Sequence, residues 1–137
     1  MLMPKRTKYR KQQRGKIRGN ATSCNAVAFG DYGLQALEPG WLAAKTLEAG
    51  RIACSRAAPE AKIWIRIFPH KPVSAKPAET RQGVGKGDVE YWAAVVKPGT
   101  VMFEVGGVTA DVAKKAFSRI AHKLPIKVRM IQKRHVS

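Results

Sequence analysis

The sequence predicts an α+β domain, and three observations carry that prediction. Lys62-Ile63-Trp64-Ile65-Arg66-Ile67-Phe68 alternates as a half-buried strand does, with Ile63, Ile65 and Ile67 on one face. Downstream of Thr109, residues Val112, Ala113, Ala116, Phe117, Ile120, Ala121 and Leu124 recur at helical spacing and form one apolar face. Shorter strand-like runs at 89–96, 101–105 and 126–131 are punctuated by proline and glycine. With 137 residues and 45% hydrophobic composition, the chain suffices for one domain with a modest core.

Taken in order, residues 1–20 form a basic extension, too poor in apolar residues to bury a face and expected to be disordered when free. Residues 21–137 are read as a single domain. Between Asn25 and Leu37, Val27, Phe29, Tyr32 and Leu34 are interrupted by Gly30-Asp31 and Gly33, which predicts a bent strand or irregular hairpin. Glu38-Pro39-Gly40 marks a turn. Residues 41–58 read as an alanine-rich helix carrying Leu47, Ile52 and Cys54, stopped by Pro59. Gly50 weakens that helix by about 1 kcal/mol relative to alanine, a cost consistent with close packing at that point. The strand at Lys62 follows; its second face mixes Lys62 and Arg66 with Trp64 and Phe68. That face suits either an RNA surface or a covering loop.

Residues 69–87 form a long protruding loop, followed by strand 89–96, a Lys97-Pro98-Gly99 turn and strand 101–105, which together read as a hairpin. Thr109 is the expected cap of the second helix, with Asp111 in its first turn. Pro125 stops that helix. The last strand sets Ile126, Val128 and Met130 against Lys127 and Arg129.

Charge narrows the function. The chain holds 26 Lys and Arg against 9 Asp and Glu, a net charge of +17. Residues 1–18 carry eight cations and residues 112–137 another eight, both without an acid, so the tally along the chain is +8, +1 and +8. Two basic ends on a nearly neutral body favour a nucleic-acid partner. The basic N-terminal run has no apolar face to insert into a membrane, and no apolar run approaches the roughly 20 residues of a membrane span. Tyr9 suits base stacking or simple packing. Cys24 and Cys54 are isolated and read as free thiols.

The stretch from Arg81 to Asp88 sets Gly83, Gly85 and Gly87 at alternate positions, with Arg81 and Lys86 among them. It fails as a phosphate-binding nucleotide loop, because Lys86 is followed by Gly87 rather than Ser or Thr. A dinucleotide fingerprint fails too: Asp88 replaces the third glycine and a strand follows. A solvated hairpin tip or a cationic finger for nucleic-acid backbone remains. No catalytic or metal-binding spacing appears among His70, His122 and His135. Asp88 and Glu90 share a strand face, as an acid–base pair would or as solvated carboxylates would. No cofactor is expected, and enzymatic function is not.

Several motifs together resemble a known family. Pro4-Lys5-Arg6-Thr7-Lys8-Tyr9-Arg10-Lys11, Phe29-Gly30-Asp31-Tyr32-Gly33-Leu34, the strand ending in Phe68-Pro69, Gly85-Lys86-Gly87, Val89-Glu90-Tyr91-Trp92, Val95-Val96-Lys97-Pro98-Gly99 and Lys123-Leu124-Pro125-Ile126-Lys127 are similar to those of protein sixteen of the bacterial large ribosomal subunit. The resemblance implies a two-layer, hammerhead-like fold, with two helices on a mixed or antiparallel sheet. It also implies a non-enzymatic constituent of the cytoplasmic (bacterial) or an organelle ribosome. Its partners would be large-subunit rRNA, aminoacyl- and peptidyl-site tRNAs and neighbouring ribosomal proteins, with no membrane and no homo-oligomer. A free RNA chaperone or assembly factor, or a nucleotide-binding enzyme, stands as the alternative.

The expected rRNA-binding residues are Lys5, Arg6, Lys8, Arg10, Lys11, Arg14, Lys16, Arg18, Arg51, Arg56, Arg66, Lys127 and Arg129. Arg81, Gly83, Gly85, Lys86 and Gly87 form the expected tRNA-proximal loop. By the same resemblance, Arg51, Ile52 and Arg56 match a helix face near the orthosomycin antibiotic site. Gln82, Val84 and His70 depart from the family's usual residues.

Overall fold

The computed structural model describes residues 3–5, 17, 19–74 and 89–133. Most of the basic extension, the glycine-rich stretch and the last four residues lie outside that set. The described elements are β1 (Tyr32–Ala36), β2 (Gly40–Ala43), α1 (Ala44–Ala57), β3 (Lys62–Ile65), β4 (Lys71–Ser74), β5 (Val89–Val96), β6 (Val101–Gly106), α2 (Ala110–Ala121) and β7 (Val128–Gln132). The strands make two sheets, ordered β3-β6-β1-β7 and β2-β5-β4. Every described pairing is antiparallel.

The helices close the core against both sheets. On α2, Thr109 Oγ1 accepts from the Val112 amide at 3.5 Å, giving the expected cap. Its apolar face buries Ala113, Ala116, Phe117 and Ile120. On α1, Leu47, Gly50 and Cys54 face inward. A Cβ at Gly50 would lie 3.1 Å from Phe103 Cζ and 3.3 Å from Ile120 Cγ2, so the missing side chain lets β6 and α2 approach α1 closely. Leu34, Ala36, Phe103 and Val105 from one sheet and Leu42, Ala94 and Val96 from the other complete a shared core.

Five expectations need correction. The helix expected from Trp41 starts at Ala44, because Trp41, Leu42 and Ala43 pair with Val95, Ala94 and Ala93 of β5. Alanine-rich composition favoured helix locally, and a sheet partner about fifty residues away overrode it. The hairpin of β5 and β6 does not form: the two strands belong to different sheets. Gly99, at φ 96°, turns the chain, and its amide donates to Ala36 O while Ala36 donates to Thr100 O. Those bonds deliver β6 to β1, whereas β5 is held by β2 and β4.

Third, the loop expected over 69–87 contains β4. Pro72 sits within this strand, which is tolerated because β4 is the sheet's edge and one missing amide there costs little. Fourth, β3 stops at Ile65 rather than continuing to Phe68, although the Arg66 amide still donates to Met102 O at 2.8 Å. The last strand also runs slightly later than expected, and Met130 is exposed on β7 at the other edge of that sheet.

A bulge gives the larger sheet a second buried face. Leu34 pairs with Phe103 but Gln35 pairs with Val101, leaving Met102 as the extra residue. Met102 and Phe103 both join the helical core. Val101 instead lies toward Gly33 and Val27, beneath the irregular segment 21–31. Consequently all six residues of β6 are buried.

Candidate nucleic-acid interface

A groove runs between the outer surfaces of α1 and α2, lined by Arg56, Lys114, Lys115, Arg119 and Lys123, with Asp111 as its acid. The sequence builds it by periodicity. Once Ala113, Ala116, Phe117 and Ile120 turn inward, Lys114, Lys115, Arg119 and Lys123 must turn outward. Lys115 and Arg119 lie four residues apart on α2, an arrangement that destabilises a helix by about 0.2–0.5 kcal/mol per like-charged pair, and Lys123 follows in the turn after the helix. A polyanion in the groove would relieve that repulsion. Arg56 enters from the last turn of α1, where a cation also complements the helix dipole.

The expected site residues fall into distinct environments. Arg51 and Arg56 are exposed on α1. Arg51 forms an i,i+3 ion pair with Glu48. The hydrogen bond from Arg51 holds the Glu48 carboxyl below its ordinary range, and the same bond raises Arg51. Ile52 beside them is 38% exposed. Lys5 and Lys127 are exposed. Arg129 is exposed on β7, where its Nε donates to Gln35 Oε1 at 2.8 Å.

Arg66 is different, because its guanidinium pairs with Glu104 inside the protein. Arg6, Lys8, Arg10, Lys11, Arg14, Lys16 and Arg18 lie outside the described residues, as do Arg81, Gly83, Gly85, Lys86 and Gly87. Lys114, Lys115, Arg119 and Lys123 were not among the expected contacts. The acid-free run from residue 112 onward was the signal that could have found them.

Glu104 is fully buried on β6. Its Oε1 accepts the amides of Ala28, Phe29 and Gly30 at 3.1, 2.8 and 2.8 Å, and its Oε2 accepts from Arg66. Burial pushes this carboxyl up, but the bonds from Gly30, Arg66 and Phe29 outweigh it, so the net shift is downward. The Arg66 guanidinium also lies 4.8 Å from the centroid of the Phe29 ring. Trp64, half-buried, stacks beside that ring at 6.4 Å with planes 20° apart.

Burial pushes the Cys54 thiol up to about 11, away from nucleophilic reactivity. The described residues contain no group of three or more His, Cys, Asp or Glu able to hold a metal ion. None of the described helices is long and apolar enough to cross a membrane.

Taken together, a two-helix α+β fold with cations ranked along a groove defines a basic protein of the nucleic-acid-binding class. Sequence comparison makes this specific. The family model for ribosomal protein L16p/L10e matches residues 4–131, and the chain belongs to that family. It is therefore a ribosomal protein and not an enzyme. Similar proteins, each named large ribosomal subunit protein uL16, occur in three bacteria. The one from Rhodopirellula baltica is 56% identical over 134 residues, covering 97% of both chains. The one from Heliobacterium modesticaldum is 54% identical over 137 residues, covering 99% of this chain and 95% of the relative. The one from Trichodesmium erythraeum is 58% identical over 132 residues, covering 96% of each.

Proposed function

We propose that this protein is a structural constituent of the large ribosomal subunit, binding its rRNA through the α1–α2 groove, the basic extension and the exposed cations of α1 and β7. The groove is the observation that carries the reading. Three cations of α2, Lys123 just beyond its end and Arg56 of α1 share a concave surface, with like charges at helical intervals that a bound polyanion would relieve. In the same proposal, Arg81 and Lys86 on their glycine-rich stretch reach tRNA at the aminoacyl and peptidyl sites. A guanidinium there suits bidentate pairing with phosphate.

The experiment is sedimentation of large subunits from extract at increasing salt. The protein should remain with the subunit well beyond the salt at which loosely bound RNA chaperones leave. Log affinity for rRNA should fall linearly with log salt, and deleting residues 1–18 should flatten that slope by several units. Early release at modest salt would favour a free RNA chaperone instead. For the loop, Arg81→Ala should preserve incorporation but weaken tRNA binding to purified ribosomes. Unchanged tRNA affinity at both sites would refute that assignment.

A further inference from the structure

The segment around Phe29 has an organisation that rRNA binding by the α1–α2 groove does not use. Three consecutive amides, those of Ala28, Phe29 and Gly30, converge on Glu104 Oε1, forming a small backbone nest around a buried carboxylate. Gly30 is wedged against β6: a Cβ there would lie 2.5 Å from Val105 O. The next amide, of Asp31, donates to that same Val105 O at 2.8 Å. The backbone on both sides of Phe29 is thus fixed by bonds to the sheet.

The ring on this fixed backbone points outward, and Phe29 is 61% exposed, the most exposed large apolar residue described. One face of the ring covers the Arg66 guanidinium, and the rest of its apolar surface is left without a protein partner among the described residues. Here Arg66 and Trp64 brace the ring in place while leaving most of its surface in water. Lys62 lies two residues before Trp64 on the same face of β3 and is exposed, adding positive charge nearby.

From this geometry we infer that Phe29 is a stacking platform for an unpaired nucleobase of rRNA. Glu104 is the residue that positions it. The inference rests on the proposed function, since it presumes rRNA as the partner. An aromatic ring held rigidly beside cations suits bases of any sequence, because every base presents a π-face. A base laid on the ring would cover the apolar surface now in water. Arg66, engaged by Glu104, polarises the ring's inner side without itself reaching phosphate.

The test uses large subunits assembled with Phe29→Ala, Phe29→Leu or Phe29→Tyr, probed along the rRNA with a 2′-hydroxyl acylating reagent. Stacking predicts that one short rRNA stretch gains reactivity with Ala and with Leu, and stays protected with Tyr. Binding of the Ala variant to rRNA should weaken roughly 5- to 150-fold, the range for loss of one stacked base. The Leu variant keeps an apolar cover over the pair, so it separates stacking from folding. Protection restored by Leu as fully as by Tyr, or no rRNA nucleotide changing in any variant, would overturn the platform while leaving ribosomal residence standing. If the wild-type protein does not travel with large subunits, the proposed function fails and the platform falls with it.

Discussion

Two arginine–carboxylate pairs, Arg66–Glu104 beneath the segment 21–31 and Arg51–Glu48 on the outer turn of α1, use the same chemistry in opposite surroundings. Glu104 is fully buried and accepts four hydrogen bonds from residues far away in sequence. Glu48 is half-buried beside an exposed Arg51 only three residues further on. The first pair ties three segments of chain together. The second joins neighbours that the helix already holds. Environment and chain separation, rather than the identity of the ions, decide what a salt bridge contributes.

The comparison is sharpened most by Glu104→Ala. It leaves Arg66 and three backbone amides without their acceptor, and should cost about 3–5 kcal/mol of stability in urea titration. A cost below about 1 kcal/mol would mean water takes over the nest and the two pairs are equivalent after all.

Acid offers a gentler probe. The folded-state carboxyl of Glu104 lies below its ordinary value, so its stabilising contribution is complete above the unfolded value of about 4.3 and is lost as pH falls through the folded value. The urea midpoint of the wild-type protein should therefore drop below about pH 4 more steeply than that of Glu104→Gln. Glu48→Gln should follow the wild-type curve, because water screens its exposed pair. If Glu48→Gln flattens the curve as much as Glu104→Gln, burial is not the deciding variable.

Smallest of all should be the response of Glu48→Ala at neutral pH, a urea midpoint unchanged within error. Raising salt should erase any residual difference, since a Debye length of about 10 Å at 0.1 M already screens exposed charges. A clear destabilisation that persists in salt would place the helix pair on a par with the buried one.

The contrast also marks what the sequence could disclose. The second helix, its Thr109 cap and the burial of Phe117 and Ile120 were legible, because they depend on spacing within a dozen residues. Strand β3 was legible for the same reason, as was the value of Gly50. Trp41 to Ala43 misled because their strand partners lie in β5. The turn at Lys97-Pro98-Gly99 has the local form of a hairpin, whereas sheet membership is settled by Ala36, far upstream.

The site was less visible. Glu104, in the run Val101-Met102-Phe103-Glu104-Val105-Gly106, reads by alternation as a solvent-facing acid. Only the segment 21–31, folding over it, makes it internal. Arg66 shared that fate. The groove cations of α2 were in plain view as an acid-free stripe, but their meeting with Arg56 depends on how two helices pack.

The position of β1 carries a consequence for synthesis. This strand is central in its sheet, flanked by β6 and β7, so its hydrogen-bonding partners are made about seventy and one hundred residues after it. Pairings of such long range are slow to form, because loop closure must precede any gain from contact. Neither edge of β1 can be satisfied on a growing chain until residues 101–106, and then 128–132, have left the synthesising machinery. A nascent chain that stops short of residue 128 leaves one side of β1 as an open template for another strand. Emergence of residues 128–132 is thus the event that closes the larger sheet.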